Sequence, residues 1–350
     1  MTLGIIDVGT NSIHLLIGIL GLNGRFHILH KERDLTRLGE GGLASSKLTA
    51  KAMRRAGEVL AKYAVLLRRF TVDHVEATAT SAVREASNGL SFALRIRRKL
   101  KIPLRVISGR EEARLIYLGV LQSERFMRST MIVSFGGGSA EIMIGDHRRL
   151  YWAVCRPMGC ARLAERFIKH DPARPEEIEA LRNAVRAAWR PLFRQAKRHR
   201  WHQTLGSSAT IQQVLTAAYL FSHRGKVKPP AAFWVSQRVL RQFVRWLSTS
   251  RAQERVEIPG LDPRRQDLAL STGIALLEWM EGCKIGKIRH APGSLREGLV
   301  VDYLIRHHQK RSRQAFDSIA DLIASNGSSA SAAFQRPLMQ RMQYLKGKAR

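Results

Sequence analysis

The chain has 350 residues, of which 45% are hydrophobic, and this is enough for two domains of ordinary size with cores of their own. Lysine and arginine number 59 against 28 for aspartate and glutamate, so the formal net charge is +31, and a field of that size favours a polyanionic partner. The sequence has no run of about 18 apolar residues free of charge, which argues against a membrane-spanning helix.

The hydrophobic pattern predicts an α/β protein whose first part mixes strands and helices. The predicted elements are strands at 3–8, 13–20 and 25–34, a helix at 46–70, a strand at 74–80, a helix at 88–101, a strand at 103–109 and a helix at 110–123. In the helix 46–70, Leu60, Ala64 and Leu67 have the spacing of one buried face.

The strand pattern then starts again, with predicted strands at 131–136, 140–145 and 149–156. A shift of 127 positions overlays the two copies, placing Asp7 on Ser134, Gly9 on Gly136, Ser12 on Ser139 and Gly18 on Gly145. An internal repeat of this size predicts two similar domains that face each other.

The rest of the chain is predicted to be mostly helical. The predicted helices are 160–170, 175–198, 207–221, 236–248, 264–282 and 294–309, with short strands near 201–205 and 287–290. The last forty residues are small, polar and basic, and they predict a partly ordered extension with a short amphipathic helix near 315–324.

Each copy of the repeat contains a strand, a turn rich in glycine, serine or threonine, and a returning strand. Such a turn aims several backbone N–H groups in one direction and binds phosphate, and glycine lets the backbone approach the ligand closely. Two facing turns would clamp one phosphate chain. The predicted phosphate-binding residues are Gly9, Thr10, Asn11 and Ser12 in the first turn and Gly136, Gly137, Gly138 and Ser139 in the second.

These motifs resemble the exopolyphosphatase / guanosine pentaphosphate phosphohydrolase (Ppx/GppA) family, within the superfamily of actin, hexokinase and Hsp70-type chaperones. The segments that carry the resemblance are IDVGTNSIHLLI (6–17), ATSAVREASN (79–88), ISGREEARLIYLGV (107–120), FGGGSAEIMIG (135–145) and PMGC (157–160), and more loosely GSSATIQQV (206–214) and LREG (295–298). The resemblance implies two ribonuclease-H-like domains of the actin-like ATPase type around a central cleft. We expect them at 1–124 and 125–305, followed by a basic tail at 306–350.

The resemblance also implies a reaction, which is hydrolysis of terminal phosphoanhydride bonds with Mg²⁺ or another divalent cation. The implied substrate is inorganic polyphosphate or guanosine pentaphosphate. In this reading Glu112 is the base or the group that orients water, Arg84 clamps the phosphate, and Glu141 is a further catalytic acid. The expected metal-site residues are Asp7, Glu112 and Ser134.

A local signal supports Glu112 independently of the family. Ser108 and Glu111 have the spacing of a capping box at the start of the helix 110–123, so Glu111 is predicted to be structural. Glu112 stands where an apolar partner for Ile107 is expected, and a broken local rule beside a helix cap often marks a working site.

Ser134 departs from the family, whose second turn usually reads D-x-G-G-G-S. A neutral hydroxyl is a poor Mg²⁺ ligand, so two hypotheses stay open. In the first, the protein is a working but slower or metal-weakened phosphatase. In the second, it has lost the reaction and binds polyphosphate or a nucleotide.

The positive charge leaves further alternatives. Basic runs occur at 94–101 and 194–200, and Arg238, Arg241 and Arg245 recur at helical spacing. A lane of cations leading to the cleft would favour polyphosphate over a small nucleotide, although a basic, solvated surface would give the same count. Nucleic-acid binding is an alternative without a supporting motif, and a sugar kinase of the same superfamily is a minor one.

The remaining expectations concern compartment and assembly. Cys155, Cys160 and Cys283 form no CxxC pair and are predicted to be free thiols that pack in a reducing cytoplasm. The N-terminus lacks the pattern of a secretory signal. The family resemblance makes a homodimer plausible, and no membrane contact is expected.

Overall fold

The computed structural model describes residues 1–21, 25–124, 126, 128–225, 227 and 229–308. The predicted tail helix near 315–324 and nearly all of the predicted tail therefore lie outside the described residues. Within the described part, no helix combines the length and the apolar character needed to span a bilayer.

The first sheet has five strands in the order β3-β2-β1-β4-β5. They are β1 (Thr2–Val8), β2 (Ile13–Leu20), β3 (Phe26–Asp34), β4 (His74–Ala79) and β5 (Leu104–Val106). The first three strands run antiparallel, whereas β1, β4 and β5 run parallel. The helices of this part are α1 (Ala50–Arg69), α2 (Ser81–Glu85), α3 (Gly89–Leu100) and α4 (Gly109–Ser123). We call the chain up to α4 the first half.

The second sheet repeats this topology with one strand added, in the order β10-β11-β9-β6-β7-β8. Its strands are β6 (Thr130–Phe135), β7 (Ala140–Gly145), β8 (Leu150–Arg156), β9 (Gln203–Ser207), β10 (Trp234–Ser236) and β11 (Lys287–His290). The helices are α5 (Cys160–Phe167), α6 (Pro175–Lys197), α7 (Ala209–Ser222), α8 (Gln237–Thr249), α9 (Ala252–Val256), α10 (Ala269–Cys283) and α11 (Leu295–His308). We call the chain from β6 onward the second half.

The strand registers agree with the repeat read from the sequence. Asp7 pairs with His14 across β1 and β2, and the residues 127 positions later, Ser134 and Glu141, pair across β6 and β7. In both sheets the strand that precedes the turn also runs parallel to a later strand, β4 or β9. The predicted α/β fold of two ribonuclease-H-like sheets is thus confirmed.

Helices α4 and α11 lie together between the two sheets. One apolar cluster joins Leu3 and Ile5 of β1 to Ile132 and Met143 of the second sheet through the buried faces of these helices. The helices cross at glycines, because a Cβ on Gly119 would lie 1.9 Å from the carbonyl oxygen of Ser294. Only glycine permits so close an approach, so the two helices pack tightly against each other at this point.

Several boundaries differ from the predictions for identifiable reasons. Helix α1 begins at Ala50 rather than at 46, because the Thr49 side chain accepts a hydrogen bond from the Ala52 amide and caps it. Strand β5 ends at Val106 because Ser108 already caps α4. The predicted helix 264–282 is a 3₁₀ helix at Pro263–Leu268 followed by α10. The short elements α2, β10 and α9 were not predicted.

Candidate functional site

The two predicted phosphate-binding turns lie directly against each other. A Cβ added to Gly138 would stand 2.5 Å from Thr10 Oγ1 and 2.5 Å from Ser81 Oγ, and one on Gly137 would stand 3.1 Å from Thr10 Cβ. The turns also close in the same way, since the amide of Gly9 donates to the Ser12 carbonyl at 3.0 Å and that of Gly136 donates to the Ser139 carbonyl at 2.9 Å. The structure therefore brings both turns to one crevice.

The carbonyl groups of both turns are bonded on the side away from the crevice. In the first turn, the Thr10 and Asn11 carbonyls accept from the amides of Gly39 and Arg37, both at 2.9 Å. In the second, the carbonyls of 136–138 accept from amides of the α5 N-terminus and of Gly159, at 2.9–3.2 Å. Because C=O and N–H point in opposite directions across a trans peptide, the amides that follow point away from these anchors. Each turn thus holds a set of backbone N–H groups in a fixed direction, away from its anchored carbonyls.

A cavity of about 130 Å³ lies between the turns and is lined from both halves. Its polar lining comprises the residues of both turns together with Asp7, His14, Thr80, Glu112, Ser134, Glu141, Ser208, Thr210, Ser294, Arg265 and Arg296. All of the predicted phosphate-binding and metal-site residues therefore face one small space.

Glu112 stands on the first turn of α4. The Ser108 hydroxyl accepts from the Glu111 amide at 3.1 Å, as predicted, but the Glu111 carboxylate contacts Arg105 at 3.4 Å instead of returning to the Ser108 amide, so only half of the predicted capping box forms. Glu112 is 6% exposed, and Arg84 Nη1 donates to its Oε2 at 2.7 Å. Burial raises the pKa of Glu112, and the Arg84 guanidinium opposes that shift. Arg84 thus binds a carboxylate that lines the cavity, whereas the sequence predicted that it clamps the phosphate.

Two further carboxyl groups share the site with Glu112. Burial raises the pKa of Asp7 to about 7 and that of Glu141 to about 8, and the neighbouring Glu112 adds to both shifts. The Ser139 hydroxyl lies beside both Glu112 and Glu141 and lowers the pKa of each, against the effect of burial. Such a concentration of buried carboxyl groups is stabilised either by protons or by a cation.

The donor set fits a divalent cation. Carboxylate oxygens are the ligands that Mg²⁺ prefers, and Asp7, Glu112 and Glu141 all line this cavity. One donor atom from each of Glu112, Glu141 and Cys155 lies within 4.8 Å of the others. The Cys155 thiol donates to Glu141 Oε1 at 3.3 Å, and burial raises its pKa. Cys155 is therefore a neutral hydrogen-bond donor within the acidic cluster, whereas the sequence predicted that it only packs in the core.

Arg265 is a site residue that sequence reasoning missed. It lies in the 3₁₀ helix and is 6% exposed, and its Nε and Nη1 have no hydrogen-bond partner among the described residues. Its Nη2 is 3.4 Å from Ser12 Oγ. Burial and the nearby Arg33 lower its pKa to about 10, so it still carries its charge at neutral pH. Buried N–H donors of a cation are costly without an acceptor, and an anion in the cavity would supply one.

Arg296 and His14 complete this side of the cavity. Arg296 Nη1 is 3.2 Å from His14 Nδ1. Burial together with Arg296, Arg33 and Arg265 lowers the pKa of His14 to about 2, so the imidazole is neutral. The cavity thus has a carboxylate side built on Glu112 and Glu141 and a cationic side built on Arg265 and Arg296. No local pattern marked Arg265, while Arg296 belongs to the loosely matched LREG segment.

Comparisons with known proteins agree with this arrangement. The model of the Ppx/GppA phosphatase family matches residues 21–307. A curated Haemophilus influenzae protein, described as "Putative exopolyphosphatase", is 28% identical over 296 residues, which cover 84% of this chain and 89% of that protein.

Solved structures resemble the chain over most of its length. The crystal structure of an exopolyphosphatase from Cytophaga hutchinsonii has a TM-score of 0.78 and 31% identity, covering 87% of this chain and 97% of that one. The Aquifex aeolicus Ppx/GppA family member has a TM-score of 0.72 and 23% identity, covering 88% and 98%. The second likeness concerns the fold alone.

Proposed function

This chain belongs to the Ppx/GppA phosphatase family, whose members hydrolyse phosphoanhydride bonds. We propose that its substrate is inorganic polyphosphate, from which it releases terminal phosphate. The observation that carries this proposal is the cavity between the two turns, which sets fixed amides and the unpartnered Arg265 donors opposite buried carboxyl groups. That arrangement suits a phosphoryl group attacked by water.

The terminal phosphoryl group binds to the cationic side. Its oxygens accept hydrogen bonds from the amides of both turns, from Arg265 Nε and Nη1 and from Asn11 Nδ2, which also has no partner among the described residues. These donors are held in place before the substrate arrives, so they stabilise the charge that develops in the transition state without reorganising.

Glu112 orients and deprotonates the attacking water. Burial raises its pKa above that of an ordinary glutamate, which makes it a stronger base. Arg84 fixes the Glu112 carboxylate through Oε2 and leaves Oε1 for the water. The role of Arg84 is therefore to hold the base rather than to bind the phosphate directly.

A divalent cation would be held by Asp7, Glu112 and Glu141, and it would neutralise phosphoryl oxygens and these buried carboxylates together. Ser134 pairs with Glu141 on the neighbouring strand and is 4% exposed, so its hydroxyl can orient a water but adds no charge. We infer a weakened rather than an abolished cation site, since the other three acids are present. A polyphosphate-binding protein without turnover is the second candidate, and the serine at 134 is the observation that favours it.

We also propose a division of the chain into two domains, 1–124 and 125–305, followed by the basic tail at 306–350. The two sheets and the cavity between them support the boundary after α4. The packing of α11 on α4 means that the end of the second domain is tied to the first.

The test is phosphate release from long-chain polyphosphate and from guanosine pentaphosphate. Wild type should release phosphate from the polymer in the presence of Mg²⁺. Glu112→Gln should lower kcat by about 10²- to 10⁴-fold, the range expected for loss of a general base. Glu111→Gln, one residue away with its side chain on Arg105, should stay within about threefold of wild type. Failure of wild type to release phosphate, or equal losses in the two variants, would contradict the proposal.

A further inference from the structure

Arg162, on α5, bonds to three segments that are far apart in the sequence. Its Nε donates to the Gly138 carbonyl at 3.0 Å, its Nη1 donates to the Leu43 carbonyl at 2.9 Å, and its Nη2 forms an ion pair with Glu85. The side chain is 17% exposed. Gly138 belongs to the second phosphate-binding turn, whereas Leu43 and Glu85 belong to the first half. One guanidinium therefore joins both halves and the turn.

The partner of Arg162 is itself next to the catalytic pair. Glu85 uses Oε2 for Arg162, while its Oε1 accepts from Ser81 Oγ at 2.6 Å and lies 3.6 Å from Arg84 Nη2. Arg84 in turn holds Glu112 at 2.7 Å. The four charges thus form a continuous row, Arg162–Glu85–Arg84–Glu112, that leads from the second half to the catalytic carboxylate.

Glu85 and Glu112 compete for the Arg84 guanidinium, and Arg162 limits this competition by binding Glu85. Glu85 and Glu112 both lie beside the Arg84 guanidinium, and the Glu112 contact is the shorter, at 2.7 Å against 3.6 Å. Arg162 neutralises the Glu85 carboxylate and holds its Oε2. Glu85 is 29% exposed even beside Arg162, so without that partner it would be free to turn both oxygens to Arg84. Arg84 would then be shared, and Glu112 would lose its fixed orientation.

We propose that Arg162 is a positioning residue that makes the Arg84–Glu112 pair depend on contact between the two halves. Its bonds to Leu43 and Glu85 exist only when the halves meet as they do here, since both acceptors lie in the first half, whereas its bond to Gly138 lies within the second half. Separation of the halves would free Glu85 and so disengage Arg84 from Glu112. The inference rests on the proposed function, because it assigns a catalytic consequence to this contact.

Two other contacts between the halves lack this connection. Arg37 donates to Asp267 at 2.7 Å, and the Gly41 amide donates to Glu165 at 3.1 Å. Neither contact includes Glu85 or the Gly138 turn. Loss of the Arg37 pair should therefore affect the association of the halves without the specific effect on Glu112.

The test combines kinetics with a charge-removal rescue. Arg162→Ala should lower kcat for polyphosphate by about 10- to 100-fold with a smaller change in KM, as for an interaction realised in the transition state. Arg166→Ala removes the same charge one turn later on α5, where the side chain lies over Phe167, and should match wild type. The double variant Arg162→Ala/Glu85→Gln should have a kcat at least threefold higher than that of Arg162→Ala, because the carboxylate that competes for Arg84 is gone.

A purely structural role would give the opposite result. Were Glu85→Gln to deepen the loss, or were Arg162→Ala to equal Arg166→Ala, the inference would be wrong. Arg162→Lys keeps the charge but cannot make three bonds, so it should fall between Arg162→Ala and wild type.

Hydrogen exchange separates this inference from the proposed function. In Arg162→Ala, the amides of 136–139 and of 39–47 should exchange faster than in wild type, whereas Arg166→Ala should leave them unchanged. This readout does not require turnover. An inactive wild type with faster exchange in Arg162→Ala would overturn the proposed function alone, and an active wild type with unchanged exchange would overturn the role of Arg162.

Discussion

Replacement of Gly138 by alanine is the sharpest probe of the contact between the two turns. The new Cβ would stand 2.5 Å from Thr10 Oγ1 and from Ser81 Oγ, and 2.9 Å from Ser81 Cβ. The hydroxyls can rotate, but Ser81 Cβ belongs to the buried start of α2 and cannot. Ordinary van der Waals contact begins near 3.4 Å, so the Gly138 turn must move about half an ångström away from Ser81 Cβ, and by up to about 0.9 Å wherever a hydroxyl does not rotate away.

That displacement should affect catalysis more than stability. Overpacking of a close contact costs about 1–3 kcal/mol in the free energy of unfolding, whereas a misplacement near 1 Å at a reacting centre can cost about 10²-fold in rate. We therefore expect Gly138→Ala to remain folded, with a modestly lowered urea midpoint and a kcat reduced by about 10- to 100-fold.

The assay is phosphate release from polyphosphate together with urea unfolding, and the matched control is Gly136→Ala. A Cβ at Gly136 would lie 3.5 Å from the Ser139 carbonyl oxygen, an ordinary contact in the same turn. The control should keep kcat within about threefold of wild type, a smaller effect than the misplacement predicted at Gly138. Equal rates in the two alanine variants would refute the argument that the turns act in contact.

Three other predictions address the charges of the site. Arg265→Met should weaken binding of tripolyphosphate about 10- to 100-fold by calorimetry, the value of hydrogen bonds to a charged group, while Arg264→Met, whose side chain is 71% exposed, should bind normally; unchanged affinity in the first variant would exclude Arg265 from the site. Ser134→Asp should raise Mg²⁺ affinity or turnover in a magnesium titration, and no gain would mean that position 134 is not a metal site. Without divalent cations, the raised folded-state pKa of Asp7, about 7 against 3.8, means that the folded state retains a proton that the unfolded chain loses. The contribution of Asp7 to the free energy of unfolding is therefore greatest below about pH 4 and falls as the pH rises to about 7. The difference in urea midpoint between wild type and Asp7→Asn should change across this range. A difference independent of pH would contradict the raised pKa.

The repeat was readable from the sequence because it is a property of local order. A strand, a glycine turn and a returning strand recur at one spacing, and strand pairing then fixes the register that places Asp7 and Ser134 at equivalent positions. The position of Glu112 could also be predicted, because the helix cap at Ser108 fixes which residues form the first turn of α4. These features need only neighbouring residues.

The cationic side of the cavity could not be predicted from the sequence, because it depends on contacts between distant segments. Arg265 reaches Ser12 across 253 positions of sequence, and its burial depends on how the 3₁₀ helix packs against the first half. Among 59 basic residues, only the tertiary structure distinguishes it from solvated ones. The orientation of Arg84 is similar, since the choice between Glu112 and a phosphate depends on the position of α4. Long-range packing thus decides which charges form the site.

Amide hydrogen exchange on Glu112→Gln, with and without tripolyphosphate, tests most directly whether both turns grip one phosphoryl group. Because this variant should bind without hydrolysing, the complex persists during labelling. We predict protection of the amides in 10–12 and in 137–139 together, with the same dependence on tripolyphosphate concentration. Binding that protects only one turn, or neither, would contradict the account.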